Sequence, residues 1–326
     1  MQLVRQKGQR VSVRARVLLA ALLIAALGSA CTAETGPGGT GFGGGPGMVP
    51  GTGPDVAGGG RAGPAAGQRP PDASSALTAY VERVRRAQAA RTLAARKWGL
   101  RAAPLVAPPP PAAGDKPHIT FRKGFGVGDP ALPPVFTTVP TTERIVFLTI
   151  DDGAEKDPEL LRMMDELDIP YSAFLSDYLV KEDYGYFKRM QERGVALHNH
   201  TLNHRYMPAL SYAEQKREIC GQQDTIEKRY GKRPPLFRPP YGNYDADTLR
   251  AARSCGIRAV PLWAAEAFPD HMEWREWDRD LHPGDIILTH FRGRGDWNGT
   301  MADMIRQVMN VVTAKGYAVA RLEDYV

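Results

Sequence analysis

Five short segments, TIDDG, HNHTLNH, RPPYG, LW and IILTH, each close a hydrophobic run, and their polar residues could bind a cation and move protons around it. They supply Asp151 and Asp152, His200 and His204, Arg238, Trp263 and His290. Two histidines four residues apart can turn their rings to one ion, and a carboxylate from another segment makes a third ligand, leaving a position open for water. That donor set belongs to a catalytic rather than a structural zinc site. Alone, an HxxxH pair is more often a surface turn. Adjacent carboxylates are costly together unless a cation or an arginine offsets them, and this links Asp151 and Asp152 to the histidines and to Arg238.

The elements that must carry these groups begin near His118. Runs rich in β-branched and aliphatic residues alternate with helical stretches: RIVFLTI at 144–150, YSAFLS at 171–176, VALHN at 195–199, PLFRP at 235–239, RAVPLW at 258–263, DIILTH at 285–290 and YAVARL at 317–322. Ser211 with Glu214 three residues later reads as a capping box, and Gly256 and Gly316 read as helix stops. Seven strand and helix units imply a parallel α/β sheet or barrel. In such folds the chemistry gathers at the C-terminal ends of the strands, which is where every one of the five motifs falls.

Taken together, the segments resemble the NodB-homology domain of the polysaccharide deacetylases, carbohydrate esterase family four, over about residues 118 to 326. TIDDG is similar to the family's TFDDG, NHTLNH to NHTxxH, RPPYG to RxPYG, and IILTH to its hydrophobic run ending in the catalytic histidine. The resemblance implies a distorted seven-stranded parallel (β/α) barrel, which composition and periodicity place after a disordered tether and one helix. It implies that Asp152, His200 and His204 hold a divalent metal; an Asp-His-His donor set suits zinc and tolerates cobalt, nickel or manganese. Asp151 is then the general base towards water on that ion, oriented by Arg238, and His290 is the general acid. A backbone N–H near Tyr241 receives the oxyanion, and Trp263 and Leu288 wall the acetyl methyl.

Blander roles compete: Asp151 and Asp152 as a helix N-cap pair, and Trp263 and Leu288 as core. His198 is expected in a satisfied hydrogen bond, and His271 and His282 as surface residues without partners. The segment LWAAEAFPDHMEW departs from the family where an aspartate should hold the motif arginine, so either Glu266 or Asp270 substitutes as the partner of Arg238 or the loop opens a different substrate subsite. Phe291 replaces an acidic residue after the catalytic histidine. Trp274, Trp277 and Trp297 are candidates for sugar stacking or for helix packing.

The chain has 326 residues and a net charge of +6. Arg5, Lys7, Arg10, Arg14 and Arg16 precede an apolar run from Val17 to Leu27 and then Gly28-Ser29-Ala30-Cys31, the layout of an export signal. That run is shorter than the roughly 20 residues of a membrane span. Its end resembles a bacterial lipoprotein signal, which implies lipid attachment at Cys31; an ordinary cleaved leader is the alternative. Residues 1–31 are thus the leader, 32–74 a Gly/Pro-rich flexible linker, 75–102 a basic helix, 103–116 a Pro-rich spacer and 117–326 the catalytic domain. In the helix Leu77, Tyr80, Val81, Val84 and Ala87 recur at helical spacing, a stripe for the main domain or for nothing. The excess charge comes from leader and helix and says little about the domain.

Cys220 and Cys255 lie in successive helical segments of a chain expected to leave the cytoplasm, so a disulfide and a pair of buried thiols both fit. The expected partners are an acetylated glycan and, through the lipid, the outer face of the cell membrane, with no nucleic acid, the protein acting as a monomer. The leading function is metal-dependent removal of acetyl groups from an N- or O-acetylated polysaccharide. A glycan-binding protein without turnover and an amidohydrolase of a small non-sugar amide are the rivals.

Overall fold

A computed structural model describes residues 73–119, 129 and 131–326; the leader, Cys31 and most of the Gly/Pro-rich linker lie outside the described residues. The sheet is built around β2 (Ile145–Asp152), whose eight residues are all buried. Side chains alternate across a strand, and both faces of β2 are apolar. Val146, Leu148 and Ile150 pack with helices α2 (Pro158–Leu167) and α7 (Met301–Ala314), while Ile145 and Phe147 join Phe174, Ile286 and Tyr325 on the other side. A strand buried on both faces is the mark of a parallel sheet under helices.

Parallel ladders join β2 to β3 (Ser172–Leu175), to β8 (Ile286–His290) and to β9 (Ala318–Ala320), and β3 to β4 (Ala196–Asn199). Helices α3 (Asp177–Val180), α4 (Tyr184–Glu192), α5 (Tyr212–Tyr230) and α6 (Ala246–Ser254) fill the intervening connections. Helix α5 starts on the expected capping box, Ser211 with Glu214. Cys220 in α5 and Cys255 just after α6 are joined as a disulfide, their Cα atoms 5.0 Å apart.

Three features differ from the expected seven-stranded parallel barrel. The ladders form an open path, β4-β3-β2-β8 and then β6 (Ala265–Ala267) and β7 (Met272–Trp274), with β9 on β2. Between β4 and β8 the circuit runs through a two-residue pair, β1 (Val135–Phe136) with β5 (Val260–Pro261), and through single bridges. Arg238 N donates to Asn199 O, Leu262 N to Phe136 O and Ile286 N to Thr137 O. The expected strand at 235–239 is reduced to bridges at Leu236 and Phe237 because Pro234, Pro235, Pro239 and Pro240 carry no N–H to donate to a ladder. Finally, β6 (Ala265–Ala267) and β7 (Met272–Trp274) form an antiparallel hairpin, so the sheet is mixed.

Helix α1 runs Ala73–Lys97, not to residue 102. Its apolar stripe stays in solvent: Leu77 is 63% and Tyr80 57% exposed, and Val81, Val84 and Ala87 are exposed as well. The helix docks by its last turns instead. Ala94, Ala95 and Leu100 join the core, Arg91 pairs with Asp168, and Lys97 and Trp98 both reach Glu166.

Candidate active site and metal cradle

Strand register sets the first layer of the site. In the β2–β8 ladder Asp151 lies beside His290, and in the β2–β3 ladder Asp152 lies beside Leu175. At the strand end the backbone turns sharply, with φ of 79° at Asp152 and 95° at Gly153. Glycine is required at 153, because a Cβ there would stand 2.5 Å from Val180 Cγ1. Beyond β4, Thr201 and His204 also have positive φ, as does Tyr241 in the turn Pro240–Gly242. Three of the six non-glycine residues with positive φ among the described residues, Asp152, His204 and Tyr241, thus line one cleft, and Thr201 adjoins His200 beneath it, the kind of stored backbone strain that marks a functional site.

The turns aim three ligands at a point. His200 Nδ1 is 2.7 Å from the Arg238 carbonyl oxygen; donating there fixes the tautomer and leaves Nε2 free as a ligand atom. Nε2 of His200 and of His204 lie 3.4 and 3.2 Å from Oδ1 of Asp152. That oxygen is buried and accepts no hydrogen bond, the contacts being ion-pair distances outside hydrogen-bond alignment. One ligand atom from each of the three residues lies within 4.8 Å of the others. A buried acceptor without a donor costs on the order of 1–3 kcal/mol, and a cation removes that cost, so the donor set fits a divalent metal. Burial works to raise the Asp152 carboxyl, but the two histidines outweigh it and hold it far below the usual carboxylate range.

Asp151 is gripped differently. Arg238, fully buried, donates from Nη1 to Asp151 Oδ1 at 2.7 Å and to Thr149 Oγ1 at 2.9 Å, and its guanidinium lies over the Phe174 ring at 4.3 Å. The expected partners Glu266 and Asp270 do not hydrogen-bond it. Arg238 Nε and Nη2 instead donate to the carbonyl oxygens of Pro261 and Leu262 at 2.8 and 3.2 Å. Backbone from the β5 exit has taken the place of a carboxylate.

Glu266 serves another residue. The β6–β7 hairpin buries Ala265 and Ala267 and turns Glu266 towards the cleft, where its Oε1 is 3.4 Å from His290 Nδ1. Burial and the nearby charges of Glu273 and Asp151 push the Glu266 carboxyl up to about 7. Burial also lowers the His290 imidazole, against the pull of Asp152 and Asp151. Trp263, Leu288 and Tyr241 complete the cleft wall, with Gly242 tucked so closely that a Cβ would stand 2.8 Å from the Trp263 ring. Arg292, absent from the sequence reading, lines the cleft too, its Nη2 3.3 Å from Asp152 Oδ2. Its position two residues past a strand-end histidine was the available signal.

Other candidates lie elsewhere. His198 points away from the cleft into a 2.8 Å contact with Glu323. His271 pairs with Asp270 and stacks on Phe268, and His282 contacts Asp278 and Asp285; both are on the surface, but neither lacks a partner as expected. Trp274 and Trp297 pack on the core, whereas Trp277 is 92% exposed. Phe291 is buried edge-on against Phe187, an apolar role that an acidic residue could not fill.

Residues 138–260 match the profile of the family described as Polysaccharide deacetylase. An uncharacterized protein of Streptomyces coelicolor is 41% identical over 207 residues, covering 61% of this chain and 82% of that one. A peptidoglycan-N-acetylglucosamine deacetylase of Bacillus cereus is 26% identical over 193 residues, 55% of this chain and 86% of its own. Among solved structures, a carbohydrate esterase family 4 pseudoenzyme from Bacillus anthracis superposes with a TM-score of 0.51 at 21% identity, over 59% of this chain and 69% of that one; that likeness shows the fold.

Proposed function

Because this chain belongs to the polysaccharide deacetylase family, we propose that it hydrolyses acetyl groups from an N- or O-acetylated polysaccharide, with a peptidoglycan acetamido sugar as the first substrate to try. One observation carries the reading: Asp151 and His290 stand side by side on neighbouring strands, flanking a cradle of Asp152, His200 and His204. Such a cradle suits zinc, or cobalt, nickel or manganese. A divalent cation held there supplies Lewis acidity, making water acidic near neutrality and polarising a carbonyl.

The chain's own groups then divide the proton work. Arg238 occupies Oδ1 of Asp151, which leaves Oδ2 as the oxygen able to take a proton from attacking water. Thr149 and the Pro261 and Leu262 carbonyls keep the guanidinium from rotating with it. His290 presents Nδ1 to Glu266, so Nε2 is the ring nitrogen available to a leaving amine or alcohol. Burial makes that imidazolium more ready to give its proton up. The backbone N–H of Tyr241 offers an oxyanion donor, and Trp263 and Leu288 bound a space suited to a methyl group.

Support for extracytoplasmic action comes from the leader layout of residues 1–31, with Cys31 as the lipid-bearing residue; metabolic labelling of the parent and Cys31→Ser with a fatty acid tests it. The function is tested by acetate release from acetylated glycans, with metal content measured alongside. The parent and Asp151→Asn should carry equal metal, only the parent should release acetate, and His204→Ala should lose both. Glycan binding without acetate release from the metal-loaded parent would favour a binding protein on this fold, as would be fitting for a neighbour of a pseudoenzyme.

A further inference from the structure

Arg292 has no part in the proton transfers described above, yet it stands at the mouth of the same cleft. Its side chain is 41% exposed and forms one hydrogen bond among the described residues, from Nη2 to Asp152 Oδ2 at 3.3 Å. A guanidinium has five N–H donors in a planar fork, so most of its donors remain open towards the cleft. The surrounding charges are otherwise accounted for. Asp151 is matched by Arg238, Asp152 belongs to the cation cradle, and Glu266 faces His290. A cation in the cradle would neutralise the one carboxylate that Arg292 touches, leaving Glu266 in the same cleft as the remaining acidic group near the fork.

We propose that Arg292 selects substrates that carry a carboxylate close to the acetyl group, pairing with it through the open edge of its guanidinium. The inference rests on the deacetylase reading and narrows its substrate class to acidic acetylated glycans. Geometry limits where the charge can sit. Arg292 contacts a residue of the cradle itself, so a carboxylate on a remote sugar or on a long side branch is out of reach. A substituent on the ring carbon next to the one bearing the acetamido group is within reach, as in a sugar whose neighbouring hydroxyl carries a carboxylate-bearing ether. Arginine suits the task because its fork matches a carboxylate bidentately and cannot lose its charge.

The test compares two tetrasaccharides on the full-length, zinc-loaded protein: one of N-acetylglucosamine alone, and one alternating N-acetylglucosamine with N-acetylmuramic acid and lacking peptide. The muramic carboxylate converted to its methylamide serves as a third probe. A charge-assisted pair predicts a ratio of kcat/KM, acidic over neutral, of roughly ten or more. The ratio should fall towards one in Arg292→Gln and for the methylamide, survive in part in Arg292→Lys, and shrink with added salt. Because the ratio is internal to each variant, a general loss of activity or metal cancels. A ratio unchanged in Arg292→Gln, even with both rates reduced, would mean that the side chain only supports Asp152, and would overturn the inference. Should neither glycan release acetate, that failure bears on the deacetylase reading alone, and calorimetric binding of the same glycans to parent and Arg292→Gln still decides the role of Arg292: tighter binding of the acidic glycan by the parent only supports it, and equal preference in both proteins overturns it.

Discussion

Outside the metal cradle, two histidine–carboxylate pairs, His198 with Glu323 and His290 with Glu266, are built from the same chemistry and put to opposite use. His198 Nε2 and Glu323 Oε1 are 2.8 Å apart, with His198 98% buried and packed on Phe174. His290 Nδ1 and Glu266 Oε1 are 3.4 Å apart at the wall of the cleft, each side chain nearly a fifth exposed. Burial works to raise the carboxyl in both. In the sealed pair the hydrogen bond from His198 outweighs it and Glu323 is lowered; in the cleft pair the looser contact and the neighbouring Glu273 and Asp151 leave Glu266 raised to about 7. Tight, with its histidine buried, the pair ties the Leu322–Asp324 turn to β4. Looser and on the cleft wall, it keeps a proton exchangeable near neutrality, which the acid role proposed for His290 requires.

The pairs can be separated by mutation. Removing groups around the cleft should cost chemistry and little folding. Asp151→Asn is expected to lower kcat/KM by about 10²–10⁴ with full metal occupancy, and His204→Ala to abolish metal binding along with turnover; an active His204→Ala would break the distinction. Removing a member of the sealed pair should do the reverse. Glu323→Ala leaves the buried His198 ring without its hydrogen-bond partner, for which about 1–3 kcal/mol of destabilisation is expected, read by urea unfolding, while acetate release per folded molecule stays near the parent's.

Which of these roles the sequence discloses depends on what sets each contact. Asp151, Asp152, His200, His204 and His290 are readable because apolar strands ending in polar residues announce where a parallel sheet puts its chemistry. Glu266 and Arg292 are not, since their neighbours are decided by the turn of the β6–β7 hairpin and the course of the chain after β8. The carbonyl grip on Arg238 is invisible for a similar reason: every residue has a carbonyl, and only the bend at Pro261 aims two of them. Strand positions were legible for β2, β3, β4 and β8, but not where Pro234, Pro235 and Pro239 dismantle a ladder. The stripe from Leu77 to Ala87 on α1 has core spacing and nonetheless faces solvent, because periodicity tells which residues share a face and not whether anything covers it.

Glu266→Gln gives a smaller effect with a diagnostic sign. A raised carboxyl favours folding below its unfolded value of 4.5 and ceases to do so as pH rises through about 7, where the buried group must ionise. The metal-free variant should therefore melt about 2 °C above the parent at pH 8.5 and level with it at pH 4, measured calorimetrically. In the metal-loaded enzyme kcat/KM should fall about tenfold and the inflection near neutrality should vanish. Smallest of all, an exposed histidine–carboxylate pair, His271 with Asp270, lies in open solvent at 2.7 Å. Exposed pairs of this kind contribute little, so Asp270→Asn should change neither melting temperature nor turnover measurably.

The measurement that bears most directly on function is acetate release by the zinc-loaded protein from an N-acetylglucosamine oligomer, run beside Asp151→Asn of equal zinc content. The deacetylase reading predicts steady release by the parent and a loss of at least about a hundredfold in the variant. Equal release by the two, or none by a parent that holds its metal across acetylated glycans of every class, would contradict it.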